Sequence, residues 1–144
     1  MILHAGLVAA RLGGAWRGAL IQGPAGAGKS DLALRGLDAG LQLVADDRTL
    51  VWTAAGRLFG RAPDTLRELI EVRGLDVVRV PALAFCEIVL VLRPGAPERI
   101  PEPQTESVLG VTLPRLQLSY LEASAPAKLR RALANFDAGR RRRM

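Results

Sequence analysis

Residues Gly23-Pro24-Ala25-Gly26-Ala27-Gly28-Lys29-Ser30 carry the spacing G-x-x-x-x-G-K-S, and two adjacent acids, Asp46 and Asp47, follow a short way down the chain. Glycines at these spacings let backbone N–H groups turn inward as an anion nest, and a helix that follows adds its positive end to the same anion. In such a loop the Lys29 ammonium reaches the β- and γ-phosphates and the Ser30 hydroxyl ligates Mg²⁺. The composition sharpens the point. Lysine occurs only at Lys29 and Lys128 against 18 arginines, so a chain that otherwise favours Arg keeps Lys where a compact ammonium must sit among phosphates.

A single acid after an apolar strand is enough to hold Mg²⁺ through water. A pair permits division of labour, one carboxylate serving the metal and Ser30 while the other accepts a proton from an attacking hydroxyl. Two like charges side by side also raise one pKa, which suits a group that takes up and releases a proton. Consecutive strand residues point to opposite faces, so joint action requires a bend after Ala45. The plain alternative is that one of the two acids caps a turn.

The elements that must position these residues are legible on either side of them. Ala19 to Gln22 is an apolar run suited to a buried strand, and with Leu7 to Ala10 across Gly13-Gly14 it predicts a hairpin leading into the loop. Ser30 to Ala39 carries Leu32, Ala33, Leu34 and Leu37 and predicts a helix stopped by Gly40. Leu41 to Ala45 then reads as a strand delivering Asp46 and Asp47 at its carboxyl end, where open α/β sheets place ligands. Arg48 to Trp52 and Arg57 to Phe59 form a β pair across Ala55-Gly56, and Pro63 to Leu69 reads as a short turn.

Ile70 to Val80 is extended but interrupted at Arg73-Gly74, with Glu71 and Arg73 on one face and Ile70 and Val72 on the other. An exposed charge pair and a metal ligand beside a phosphate-binding arginine are both open for Glu71 and Arg73. Cys86 to Leu92 is the best central strand. Arg93 to Pro103, with Pro94, Pro97, Pro101 and Pro103, predicts an irregular connector. Val108 to Leu118 predicts strand broken at Pro114, and Pro126 to Asp137 a terminal helix.

At 144 residues the chain reads as one α/β domain over 1–139 followed by a basic, disordered tail over 140–144, whose arginines Arg140 to Arg143 supply four units of the +6 formal charge. One cysteine, Cys86, excludes an internal disulfide, and a cytoplasmic location is expected in the absence of a secretory leader or an apolar span of membrane length. Trp16, Trp52, Phe59, Phe85, Tyr120 and Phe136 are scattered singly, so no nucleic-acid platform is expected, and the lack of a membrane-length apolar run predicts no membrane partner.

The loop, then Leu43-Val44-Ala45-Asp46-Asp47, then Glu71-Val72-Arg73-Gly74-Leu75-Asp76-Val77-Val78-Arg79-Val80 resemble, in order, the motifs of the catalytic domain of bacterial HPr kinase/phosphorylase, and His4-Ala5-Gly6-Leu7 resembles a further motif of that family. The resemblance runs from about His4 to about Val80 and is closest to the short form that consists of the catalytic domain alone. It implies a P-loop kinase domain on a mostly mixed or antiparallel sheet, similar to phosphoenolpyruvate carboxykinase, and ATP- and Mg²⁺-dependent phosphorylation of a serine in the phosphocarrier HPr or its nitrogen-related paralogue. By motif match, Asp46 is the general base, Asp47 supports the Lys29, Ser30 and Mg²⁺ cluster, His4 orients Asp46, Glu71 assists the metal, and Arg73 contacts phosphate or the acceptor.

The resemblance also implies reverse phosphorolysis by inorganic phosphate and a homo-oligomer, a hexamer in the family. The family's basic, Gly-containing loop near the C-terminus has its counterpart in Leu113 to Leu118, where only Arg115 matches. A P-loop kinase for a small metabolite and a non-catalytic nucleotide-binding module are the alternatives. The first needs a lid rich in Arg or Lys, which the proline-rich connector does not offer, and the second loses Lys29, Ser30 or an aspartate more often than it keeps them all.

Overall fold

A computed structural model describes residues 1–136 in full and follows the last helix as backbone to Arg143. The expected disordered tail over 140–144 lies outside the fully described residues. The chain begins β1 (Ile2–Leu3), β2 (Ala5–Leu12) and β3 (Ala15–Gln22), and β2 and β3 form the expected hairpin with Leu7 opposite Leu20. The phosphate loop and α1 (Lys29–Asp38) follow, and Gly40 at φ +94° ends the helix in the left-handed conformation that glycine adopts without strain.

β4 (Gln42–Ala45), β5 (Thr49–Ala54) and β6 (Arg57–Arg61) come next, then a single 3-10 turn (Asp64–Leu66) and a small hairpin of β7 (Leu69–Val72) and β8 (Asp76–Arg79). β9 (Cys86–Pro94) is the central strand. It pairs parallel with β3 on one edge, and on the other with β6 near its start and parallel with β11 near its end. The order β1-β5-β6-β9-β3-β2-β4, with β10 (Gln104–Val108) and β11 (Val111–Leu118) joined beside β9, makes one mixed sheet. Helix α2 (Ala125–Arg143) closes the chain.

Helices α1 and α2 cover one face of the sheet, burying Leu32, Leu129 and Leu133 with Ile21, Leu90, Leu92 and Ile70 of β7. The sheet curls around a second core that includes Leu7, Leu20, Leu58, Ile88 and Leu113. Glu87, buried in β9, is bonded by Arg17 of β3 and Arg57 of β6 at 2.5 Å each, which ties three neighbouring strands together. Burial pushes the Cys86 thiol up to about 12, so it is a packing group and not a nucleophile. Among the described residues no helix is long and apolar enough to cross a membrane.

Two expectations need correction. The break in the last strands falls at Leu109-Gly110, not at Pro114. Both residues take positive φ, +48° and +80°, as a two-residue hairpin turn between Val108 and Val111 requires. Pro114 lies inside β11 opposite Thr105, and pairing with β9 starts only at Arg115, so a residue without an N–H is tolerated there. Arg115 sits in this paired strand, within the stretch expected to be extended, and donates to Gln104 at 2.9 Å. The aromatics are not all scattered either, since Trp52, Phe59 and Phe85 gather with centroids 6.0 to 6.4 Å apart.

Candidate functional site

Strand β3 ends at Gln22 and the chain turns through Gly26 (φ +83°) and Gly28 (φ +97°) into α1, whose N-terminus has no side-chain cap. The first N–H groups of the helix therefore open into the loop, as an anion site requires. Lys29 folds back over the loop, donating to the carbonyls of Gly23 at 2.6 Å and Pro24 at 3.2 Å. Its ammonium thus lies across the cradle that the loop forms.

The acid pair reaches this loop because β4 ends beside β2, with Ala45 opposite Leu7, and the chain then bends. Asp47 takes φ +69° and the Arg48 N–H donates to the Asp46 carbonyl at 2.7 Å. This is the bend that joint action of the two acids demanded, and it separates their fates. Asp46 is buried, accepting from the Ser30 hydroxyl at 2.7 Å on Oδ1 and from the Glu71 backbone N–H at 2.9 Å on Oδ2. Asp47 is exposed and makes no hydrogen bond to the described residues.

Burial raises the Asp46 carboxyl above its ordinary 3.8, and the negative charges of Asp47 and Glu71 push the same way against the two hydrogen bonds. The resemblance implied that Asp47 supports the Ser30 and Mg²⁺ side, and in this structure it is Asp46 that accepts the Ser30 hydrogen bond. Which acid serves Ser30 is therefore a matter of backbone geometry, since residues next to each other in sequence face differently once one of them enters the left-handed region.

His4 arrives by register. β1 pairs with β5 (Leu3 opposite Thr49) and β2 with β4 (Leu7 opposite Ala45), so the β1–β2 junction at His4 runs alongside the β4–β5 junction at Asp46 to Arg48. The buried Thr49 hydroxyl donates to the Ala5 carbonyl at 2.8 Å and fixes the two junctions together. Glu71 comes from β7, whose Ile70 packs under α1, and Arg73 extends from the β7–β8 turn. His4, Glu71 and Arg73 are exposed, and their side chains make no hydrogen bond or ion pair among the described residues.

The model of the HPr serine kinase C-terminal domain matches residues 6–89, more than half the chain and the part that carries the loop, both acids, Glu71 and Arg73. The chain belongs to the HPr serine kinase C-terminal domain family. It is 39% identical over 117 residues to an HPr kinase/phosphorylase of Azoarcus sp. (strain BH72), covering 70% of this chain and 37% of that one. An HPr kinase/phosphorylase of Xanthomonas campestris pv. campestris (strain B100) is 50% identical over 64 residues, 44% of this chain and 20% of that one. Against the structure of the HPr(Ser) kinase/phosphatase from Coxiella burnetii the TM-score is 0.81 at 25% identity, over 98% of this chain and 99% of that one. The chain thus spans a little over a third of the length of the Azoarcus relative, and about the whole of the Coxiella chain.

Sequence reasoning missed the segment Ser119 to Ser124, which crosses to the loop after β11. Tyr120, buried there, donates its hydroxyl to the Gln22 carbonyl at 2.5 Å, just before Gly23. The only advance signal was an isolated aromatic after a strand.

Proposed function

We propose that this chain is an ATP- and Mg²⁺-dependent protein kinase that phosphorylates a serine of an HPr-type phosphocarrier. The observation that carries the reading is Asp46, a buried carboxylate set between Ser30 and the Glu71 backbone with its pKa raised. A proton acceptor of raised pKa at the mouth of a phosphate loop suits a hydroxyl nucleophile.

The residues present fit the nucleotide and the metal. The loop offers uncapped helix N–H groups, and the Lys29 ammonium rests on carbonyl oxygens in the cradle that phosphate oxygens would take. Among the described residues no three His, Cys, Asp or Glu side chains gather as a metal cage. Mg²⁺ at phosphoryl-transfer sites needs only one or two carboxylates beside the phosphates, so Ser30 with Asp47 and Glu71 would suffice. Bound there, the ion would neutralise charge on the transferring phosphoryl group.

In the transfer, Asp46 takes the proton of the serine hydroxyl as the new O–P bond forms. The bond from the γ-phosphorus to the bridging oxygen breaks and ADP leaves with the electron pair. Lys29 steadies the β- and γ-phosphates. His4, alongside the acid junction, would orient Asp46, and Arg73 would contact the transferred phosphate or the acceptor. In reverse, protonated Asp46 returns the proton as inorganic phosphate attacks phosphoserine, giving pyrophosphate.

Exposure of His4, Asp47, Glu71 and Arg73 favours a macromolecular acceptor, because sites for small substrates enclose them. Assembly as a homo-oligomer and a cytoplasmic location belong to the same reading, and sedimentation at several protein concentrations tests the first. With Mg²⁺ and γ-labelled ATP the protein is expected to label HPr on serine. Label on a metabolite, or none on HPr or its nitrogen-related paralogue, overturns the reading. Incubation of phospho-HPr with inorganic phosphate tests reversal, which releases pyrophosphate if it occurs.

A further inference from the structure

The phosphate loop sits at the end of β3, in the middle of the sheet. On one side, through β2, lie β4 and the acid pair; on the other, through β9, lies β11 with the segment it launches. A triphosphate in the loop must aim its γ-end at Asp46 and Ser30, so its nucleoside end leaves toward the β11 side. That direction rests on the proposed reading of the loop as the seat of the nucleotide phosphates.

What waits on that side is a fixed segment with one apolar side chain turned outward. Tyr120 is tied to Gln22 by its hydroxyl, Arg35 of α1 donates to the Tyr120 and Glu122 carbonyls, the second at 3.0 Å, and Lys128 holds the Glu122 carboxylate at 3.0 Å. The Glu122 N–H closes back on the Ser119 carbonyl at 3.1 Å. Between these anchors Leu121 is 71% exposed. Its Cδ2 lies so close over Gly28 that a Cβ there would come within 2.7 Å of it. A leucine held by a pinned backbone against the phosphate cradle keeps its apolar surface in water until something covers it.

We propose that Leu121 is the apolar platform for the nucleoside part of the bound nucleotide, packing against the ribose and base once the phosphates fill the loop. Arg35 is then a positioning residue, since it acts only by holding the carbonyls on either side of Leu121. The platform offers an apolar surface and no hydrogen bond from its own side chain, so it discriminates a nucleotide from a bare polyphosphate more strongly than one purine from another.

The test is calorimetric binding of ATP and of tripolyphosphate, each with Mg²⁺, to the full chain and to Leu121→Ser and Leu121→Phe. Covering roughly half a leucine corresponds to a loss of about five- to tenfold. Leu121→Ser is expected to weaken ATP by that factor and leave tripolyphosphate unchanged, while Leu121→Phe keeps or improves ATP affinity. Equal ATP affinity in wild type and Leu121→Ser overturns the platform, as does parallel weakening of ATP and tripolyphosphate. Failure of wild type to bind either polyanion overturns the phosphate-loop reading itself, and the platform with it.

Discussion

The two sides of the candidate site are built differently. On the nucleotide side each group has a partner: Lys29 on the Gly23 and Pro24 carbonyls, Ser30 on Asp46, Tyr120 on Gln22, Arg35 on the segment after β11. On the open side, where the proposed reading puts the metal ligands and the docking acceptor, His4, Asp47, Glu71 and Arg73 stand exposed, and no described residue bonds their side chains. A small ligand that arrives alone needs a cradle already formed, because ordering the cradle would be charged against its few contacts. A protein acceptor brings its own rigid surface and can order exposed side chains as it docks. Asp46 lies on the border, buried with the first group and electrostatically coupled to the second.

Asp46→Asn breaks that border with the largest effect. An asparagine placed with its carbonyl oxygen on the Glu71 N–H and its amide on the Ser30 oxygen keeps both hydrogen bonds while losing the proton acceptor. Transfer should fall by about 10²- to 10⁴-fold, while ATP affinity measured by calorimetry stays within experimental scatter. Stability should move the other way. The folded pKa of Asp46 is raised, so its ionised form opposes folding above that pKa and the opposition fades as the pH drops through it. At neutral pH the melting temperature of Asp46→Asn is therefore expected at or above that of wild type, and a clear fall would say that the carboxylate is structural.

Next in size is Lys29→Ala, which removes a charged donor from the phosphates. ATP affinity should weaken by about 10- to 100-fold, with binding of the acceptor protein unchanged. If both ligands weaken together, the two sides are not separately built. Arg73→Ala should do the converse at smaller scale, raising the KM for the acceptor by about three- to fivefold without altering ATP affinity, and flattening the salt dependence of KM. An Arg73→Ala defect confined to ATP would move that residue to the nucleotide side.

The nucleotide side was the more legible in sequence because its information is local. Glycine spacing, Lys29 and Ser30 lie in one continuous stretch, and the strand and helix around them have apolar patterns of the expected length. The acid pair was legible as a pair, and so was the need for a bend, but not which acid would meet Ser30. That depends on Asp47 entering the left-handed region and on a hydrogen bond from the Glu71 backbone, 25 residues away. The hairpin at Leu109-Gly110 was hidden because a non-glycine residue takes positive φ there while Pro114 looked like the breaker. Leu121 carried no signal at all, since a lone leucine after a strand means nothing until β11 is known to lie beside β9. His4 became legible only through resemblance, as its place depends on two separate strand registers.

The most direct test of Asp46 as the proton acceptor between the two sides is the pH dependence of single-turnover transfer to HPr at saturating ATP, in wild type and in Asp46→Asn. Only ionised Asp46 can take the serine proton, and both burial and the Asp47 charge raise its pKa. The wild-type rate should therefore rise with pH through an acid limb, and the residual rate of Asp46→Asn should lack that limb. The same acid limb retained in Asp46→Asn, or a wild-type rate independent of pH across the carboxylate range, would contradict the assignment.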